Sequence, residues 1–438
     1  MIHRDTSCIS ISNGADESTS LLPSYPDASG SSVNACAETE NSELGLSFSI
    51  PDASDAFFKY DSVSTAEIAK QEAGVLLKSS IQVALAFLLQ YSFSFVNVMS
   101  LGHLGATELA AAALANMTVY MVVNAPACGL ASALETFCST SFTGSRDKTL
   151  VGFHLQRGII SVTIHFILTL PVLINIEPIF IYLRQDPQIA HLCGRFIRAQ
   201  LPGMLPWIYF ECIRCFLQAQ RHMNASTYAM GVALPIHLVS TYFLVWSQRF
   251  GIGFIGAAVA NVGTFWATFL GIVVYCRYTD VRAAWGGWTR RAFVTMPEYY
   301  RLALPSIVMV CSDWIGWELM AITASYLGNT TLAAQSIAIN TCPITYQWAN
   351  GLRTAISNRT GNLLGQTRAR RAEISSAVGL CLGAAWGVIS MAIYISAASW
   401  WGHVYTKDTD VISVVSVIMP FCGIFQLGDS LANRLLAL

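Results

Sequence analysis

Three acids stand inside stretches otherwise built for lipid. Asp313 and Glu318 lie in Cys311-Ser312-Asp313-Trp314-Ile315-Gly316-Trp317-Glu318, and Asp429 lies in the last apolar run. A charge at mid-bilayer costs at least about 2.5–3.5 kcal/mol, so an acid there faces a cavity or a partner and commonly serves ion movement. Low dielectric and neighbouring carboxylates both make a carboxyl hold its proton more tightly. A cluster of such acids can exchange protons near neutral pH and attract a cationic substrate. Asp313 and Glu318 are five residues apart, about 140° round a helix, so one can line a cavity while the other meets a neighbouring helix. Trp314 and Trp317 can stack on a cationic or aromatic ligand, and plain packing suits them equally. Gln90, Asn116 and Asn340 add amides of the kind that bonds either a ligand or an adjacent helix. Two further acids read as structural. Glu211 precedes Arg214 by one helical turn, which neutralises it locally, and Glu135, late in its span, orients one end of the bundle.

The elements that carry these residues follow from composition. The chain is 54% hydrophobic and 12% charged, with a mean hydropathy of +0.50, whereas soluble domains carry about 25% charge. Helix-length apolar runs fall near 75–100, 108–139, 153–174, 189–217, 226–246, 254–276, 299–326, 332–358, 374–401 and 411–431. All are expected to be helical, because backbone polar groups in lipid must pair within the segment. Residues 1–70, rich in Ser, Asp, Glu and Pro, read as a disordered tail without a cleavable signal peptide. The loops after even-numbered spans hold Arg146, Lys148, Arg221, Arg277, Arg282, Arg290, Arg291, Arg368, Arg370 and Arg371. The alternate loops hold Arg184, Arg249 and Lys407. The positive-inside rule then places the tail and the even loops in the cytoplasm.

Soluble-enzyme signatures fail on context. Gly251-x-Gly253-x-x-Gly256 matches a dinucleotide fingerprint, but a membrane span precedes it where a strand is needed. A tight turn with close helix entry is the better reading. Twelve cysteines lie mostly within apolar spans and behave as small hydrophobes. Cys212-x-x-Cys215 lacks the second pair or the histidines of a metal site, so no metal or cofactor is expected. Without a phosphate-cradling Gly-x-x-x-x-Gly-Lys, an ATP-driven pump would need a separate motor subunit. No nucleic-acid partner is indicated. The expected surroundings are the bilayer and small organic substrates, with the chain a monomer.

The chain also nearly repeats itself. Leu104-Gly105-Ala106-Thr107-Glu108-Leu109-Ala110-Ala111 returns 223 positions on as Leu327-Gly328-Asn329-Thr330-Thr331-Leu332-Ala333-Ala334, and Asn116 falls near Asn340. Six spans per copy return the chain to its starting side, so the copies are parallel and related about an axis along the membrane normal. The fold class is all-α: a polytopic bundle with a first lobe over 71–280 and a second over 297–438. Ending at residue 438, the second copy holds four of six spans and lacks about 60 residues of a full repeat.

Several segments carry a resemblance: Gly102-His103-Leu104-Gly105, Gly129-Leu130-Ala131-Ser132-Ala133-Leu134-Glu135-Thr136, Leu217-Gln218-Ala219-Gln220, Asp313-Trp314 through Trp317-Glu318, Ala334-Gln335-Ser336-Ile337, and Asn358-Arg359-Thr360-Gly361-Asn362-Leu363-Leu364-Gly365. In this order they resemble the multidrug and toxic compound extrusion (MATE) transporters in a eukaryotic, fungal form. The resemblance implies a twelve-helix antiporter of two six-helix lobes that exports organic cations, metabolites and drugs against protons or sodium. It puts the family's seventh-helix acids on Asp313 and Glu318, its tenth-helix acid on Asp429 and its first-helix glutamine on Gln90. The chain departs at Cys138-Ser139-Thr140-Ser141, where the family has Cys-Gly-Gln-Ala, and at Asn340, where some animal relatives carry an acid. Two other readings stay open: a lipid-linked substrate flippase of the same superfamily, which would need a cationic cavity, and a transport-inactive truncated product. Asp16-Glu17-Ser18-Thr19-Ser20-Leu21-Leu22 resembles an acidic dileucine sorting signal, which favours a vacuolar over a plasma membrane.

Overall fold

The computed structural model describes residues 64–435, apart from 248, 250, 327, 328 and 407. Nearly all of the expected tail lies outside the described residues. Its last few do not: α1 (Thr65–Gly102) begins before the apolar run does. Ser64 starts it, its hydroxyl accepting from the Glu67 amide at 3.3 Å, with the Ser-x-x-Glu spacing of a capping box. The helices that follow are α2 (Ala106–Val119), α3 (Ala125–Gly144), α4 (Thr149–Ile174), α5 (Ile176–Tyr182), α6 (Pro187–Ala219), α7 (Ala225–Thr241), α8 (Phe254–Tyr278), α9 (Arg291–Val294), α10 (Met296–Tyr326), α11 (Asn329–Gly365), α12 (Ala369–Ala397), α13 (Gly402–Tyr405) and α14 (Thr409–Leu435). With α2 and α3 counted as one run, ten long helical segments stand where ten spans were expected. Seven are apolar enough to cross a membrane by length and composition. The other three, α6, α10 and α11, carry more polar side chains, and α6 and α11 bury theirs inside the bundle (Gln200, Glu211, Gln218; Asn358, Asn362).

Prolines lie inside several spans, where each removes a backbone hydrogen bond. A π-helical stretch, Tyr120–Asn124, joins α2 to α3 immediately before Pro126. The His165 ring, 3.2 Å from the Val123 carbonyl, reaches this loosened stretch, the kind of neighbour that makes a broken helix tolerable in lipid. The glycine triplet forms the tight turn expected of it: Gly253 has φ +61°, and a Cβ at Gly256 would strike the Leu244 carbonyl. At this same end α5 is tied to α6. The Glu177 carboxylate, outside the spans, accepts from Arg198 at 2.9 Å and lies 2.8 Å from His191. The His191 hydrogen bond, then Arg198, hold it below the usual carboxylate range.

The packing obeys the repeat. α1 and α3 of the first half pack against α11 and α10 of the second, and α3 also meets α11. Gly351 of α11 sits so close to α1 that a Cβ would lie 2.7 Å from the Ser80 carbonyl, with Ala84 beside it. Gly129 of α3 sits so close to α10 that a Cβ would lie 2.5 Å from the Ile307 Cα. Gly129 and Gly351 are equivalent in the two copies (offset 222), as are Ala84 and Ile307 (offset 223). Small residues here let backbones approach closely, the usual basis of helix association in lipid.

Candidate functional site: the seam between the halves

The end of the bundle holding the start of α1, the α3–α4 turn and the α11–α12 turn carries most of the basic loop residues, and is called here the basic end. The halves are fastened there. Glu72 of α1, 0% exposed, accepts from Arg359 Nε and Nη2 at 2.7 and 2.6 Å and from Arg371 Nε at 2.6 Å. Two guanidinium groups from α11 and α12 therefore converge on one carboxylate of the first half. Next to it, Asn358 Nδ2 donates to Glu135 Oε1 at 2.8 Å across 223 residues of chain. This bond joins α11 of the second half to α3 of the first. Thr143 donates to the Asn362 carbonyl at 2.7 Å in the same layer. Glu135, expected to orient this end, bonds to the second half there.

Further from the basic end the seam turns aromatic. Tyr91 of α1 donates to the Asn340 carbonyl at 2.9 Å, and Tyr120 packs against Trp314 with ring centroids 4.1 Å apart and planes tilted by 46°. Tyr91 and Trp314 are again equivalent, at an offset of 223. Glu211 is bound by its neighbour as expected: Arg214 Nε donates to Glu211 Oε2 at 2.9 Å, with Nη2 on the same oxygen. It is nevertheless close to the seam, within electrostatic reach of Tyr120. The span changes partners across the π stretch: among the described residues α3 packs on α10 and α11, whereas α2, the other half of the same span, packs on α6.

The expected site residues divide. Trp314 and Asn340 lie on the seam, and Asn340 Nδ2 also donates to the Ser336 carbonyl at 2.8 Å. Gln90 is half-buried one position from Tyr91, and its Oε1 is buried with no hydrogen-bond partner among the described residues. Asn116 lies on the exposed side of α2. Asp429 is half-buried on α14, which packs between α11 and α12, and its Oδ2 is shielded from solvent. The side chains of Asp313, Trp317 and Glu318 lie outside the described residues; α10 carries all three. Glu72, Asn358, Arg359 and Arg371 were missed as site residues. Asn358 and Arg359 stood in a segment that carried the resemblance, but no local signal paired them with Glu135 or Glu72.

A protein-family model described as MatE matches residues 83–243 and 305–436. An uncharacterized transporter of Schizosaccharomyces pombe is 35% identical over 405 residues, covering 91% of this chain and 72% of that one. Multidrug and toxin extrusion protein 1 of Danio rerio is 30% identical over 365 residues, 83% of this chain and 61% of the relative. Over the fungal relatives the match spans 56–72% of their length. The crystal structure of the eukaryotic MATE transporter AtDTX14 superposes with a TM-score of 0.77 at 24% identity, covering 85% of this chain and 83% of that one. At that identity the likeness is one of fold.

Proposed function

This chain belongs to the MatE family of membrane transporters, which are not enzymes, and on that premise we propose that it is a proton-coupled antiporter exporting organic, often cationic, compounds. The observation carrying the proposal is the asymmetry along the seam: contacts between the halves fasten the basic end, whereas past the π stretch α2 packs, among the described residues, on α6 of its own half. Two parallel halves that touch at one end suit alternating access, in which rocking moves the opening from one side to the other. The excess of Lys and Arg puts the basic end, and the start of α1, in the cytoplasm.

In this mechanism Asp313, Glu318 and Asp429 hold a cationic substrate while ionised and release it outward on taking protons. Gln90, with its unpartnered oxygen, and Asn116 and Asn340 offer hydrogen bonds, while Trp314 and Trp317 offer aromatic faces. Proton is the coupling ion in this account, sodium its alternative, and the membrane is vacuolar or plasma. The name of the Danio rerio relative supports the substrate class. The test is uptake of a fluorescent organic cation into proteoliposomes under an imposed pH gradient. Glu318→Gln and Asp429→Asn should each abolish gradient-driven uptake. Uptake unchanged in both removes the acids from the mechanism.

A further inference from the structure

At the basic end, α1, the α6–α7 link, the end of α8 and α11 line an open cavity of about 340 Å³, within the range of small-molecule sites. Its lining is cationic from three directions: Lys78 from α1, Arg221 with His222 from the link, and Arg359 from α11. Arg359 shares its charge with Glu72, but Lys78 and Arg221 form no ion pair among the described residues. Burial, then Arg359 and Arg368, hold the Arg221 guanidinium below the usual arginine range, so this wall repels its own cation. His222 is steered by Tyr275, Nδ1 to hydroxyl 3.0 Å. Asn224, also in the lining, is the N-cap of the 17-residue α7, and no side chain caps that terminus. The positive dipole end of α7 therefore adds to the cations. Beside the cavity, α1 presents Val75, Leu77 and Ile81, which are 40%, 47% and 54% exposed and apolar.

We propose that this cavity binds a phosphomonoester, either the headgroup of an anionic lipid or a soluble phosphorylated polyol. A phosphomonoester brings a charge near −2, answering the two lining cations that have no carboxylate, Lys78 and Arg221, and three acceptor oxygens. A carboxylate offers one charge and two oxygens, and leaves one wall unanswered. Because Lys78 and Arg221 come from the first half and Arg359 from the second, an occupied site ties the halves together at the basic end. The inference does not depend on what the protein transports.

Arg221 supplies a clean variant. It ends α6 with φ +70°, its amide donating to Gln218 and that of His222 to Leu217 at 2.9 and 3.0 Å. This is the C-cap position where glycine is favoured, so Arg221→Gly removes the charge while relieving the backbone. The full chain in phosphatidylcholine nanodiscs is titrated with glycerol 3-phosphate and, separately, with phosphatidic acid, which carries that group as its headgroup. Saturable binding is expected, weakened at least tenfold in the Lys78→Gln/Arg221→Gly double variant, whose melting temperature without ligand stays near wild type. Tenfold tighter binding of the lipid assigns the site to a headgroup; equal affinities assign it to a soluble phosphomonoester. No saturable binding of either probe, or equal binding by the double variant, overturns the proposal.

Discussion

The α1–α11 seam and the α3–α10 seam are the same contact made twice, yet they are fastened by different chemistry. Gly351 against α1 and Gly129 against α10 bring backbones equally close. At the basic end of the first seam a fully buried carboxylate, Glu72, gathers Arg359 and Arg371. At the corresponding end of the second, the Tyr299 hydroxyl donates to the Leu130 carbonyl at 2.6 Å. Arg157 there is caged by Phe137, Phe153 and Tyr299 at 5.2–5.8 Å. Its only carboxylate neighbour among the described residues, Glu298, is 3.7 Å away and 67% exposed. Duplication preserved the packing, which shape dictates, and let the polar fastening diverge. A buried ion cluster adds little net stability over apolar packing, but it severely penalises loss of one partner. The first seam therefore reads as a lock and the second as a bearing.

The largest effect should come from Glu72→Gln, which leaves two guanidinium groups facing each other without an anion. Breaking a buried pair in this way costs about 3–5 kcal/mol. Arg359 and Arg371 keep 18% and 20% exposure, so the lower end of that range is expected, read as a fall in melting temperature of the solubilised protein. Next come Gly351→Val and Gly129→Val. Each forces side-chain atoms into backbone at 2.5–2.7 Å, and overpacking of this kind costs about 1–3 kcal/mol. The two losses should be similar, because the contacts are equivalent; a large effect at one alone would break the comparison. The smallest belongs to Glu298→Gln. Glu298 is solvated and 3.7 Å from a buried Arg157 that the aromatic cage and not the carboxylate holds, so the pair contributes about 0–1 kcal/mol and melting should barely move. A loss as large as that of Glu72→Gln would make the second seam a lock as well.

Most of the scaffold was legible in the sequence, because lipid permits few solutions and the repeat fixes how the halves relate. Ten helical runs, the paired Glu211 and Arg214, and the turn at Gly253 were all readable from local spacing. Asn358 was visible as part of a matching segment, though not as the bonding partner of Glu135. Glu72 was not. It lies just before the apolar run, where composition resembles the tail, and its partners are 287 and 299 residues away. Nothing local distinguishes a carboxylate that will be wholly buried from one that will be solvated. The cavity at Lys78 and Arg221 was hidden for the same reason, since its walls come from three separate segments.

The central claim is that the halves are locked at the basic end and that transport requires the lock to open. The direct measurement is the distance between spin labels at Lys70→Cys on α1 and Glu373→Cys on α12, both exposed positions, in the full chain in liposomes. At rest one short distance should dominate. Under an imposed pH gradient with substrate, a longer distance should appear, and Glu72→Gln should populate it without the gradient. A single unchanged distance under all three conditions would contradict the account.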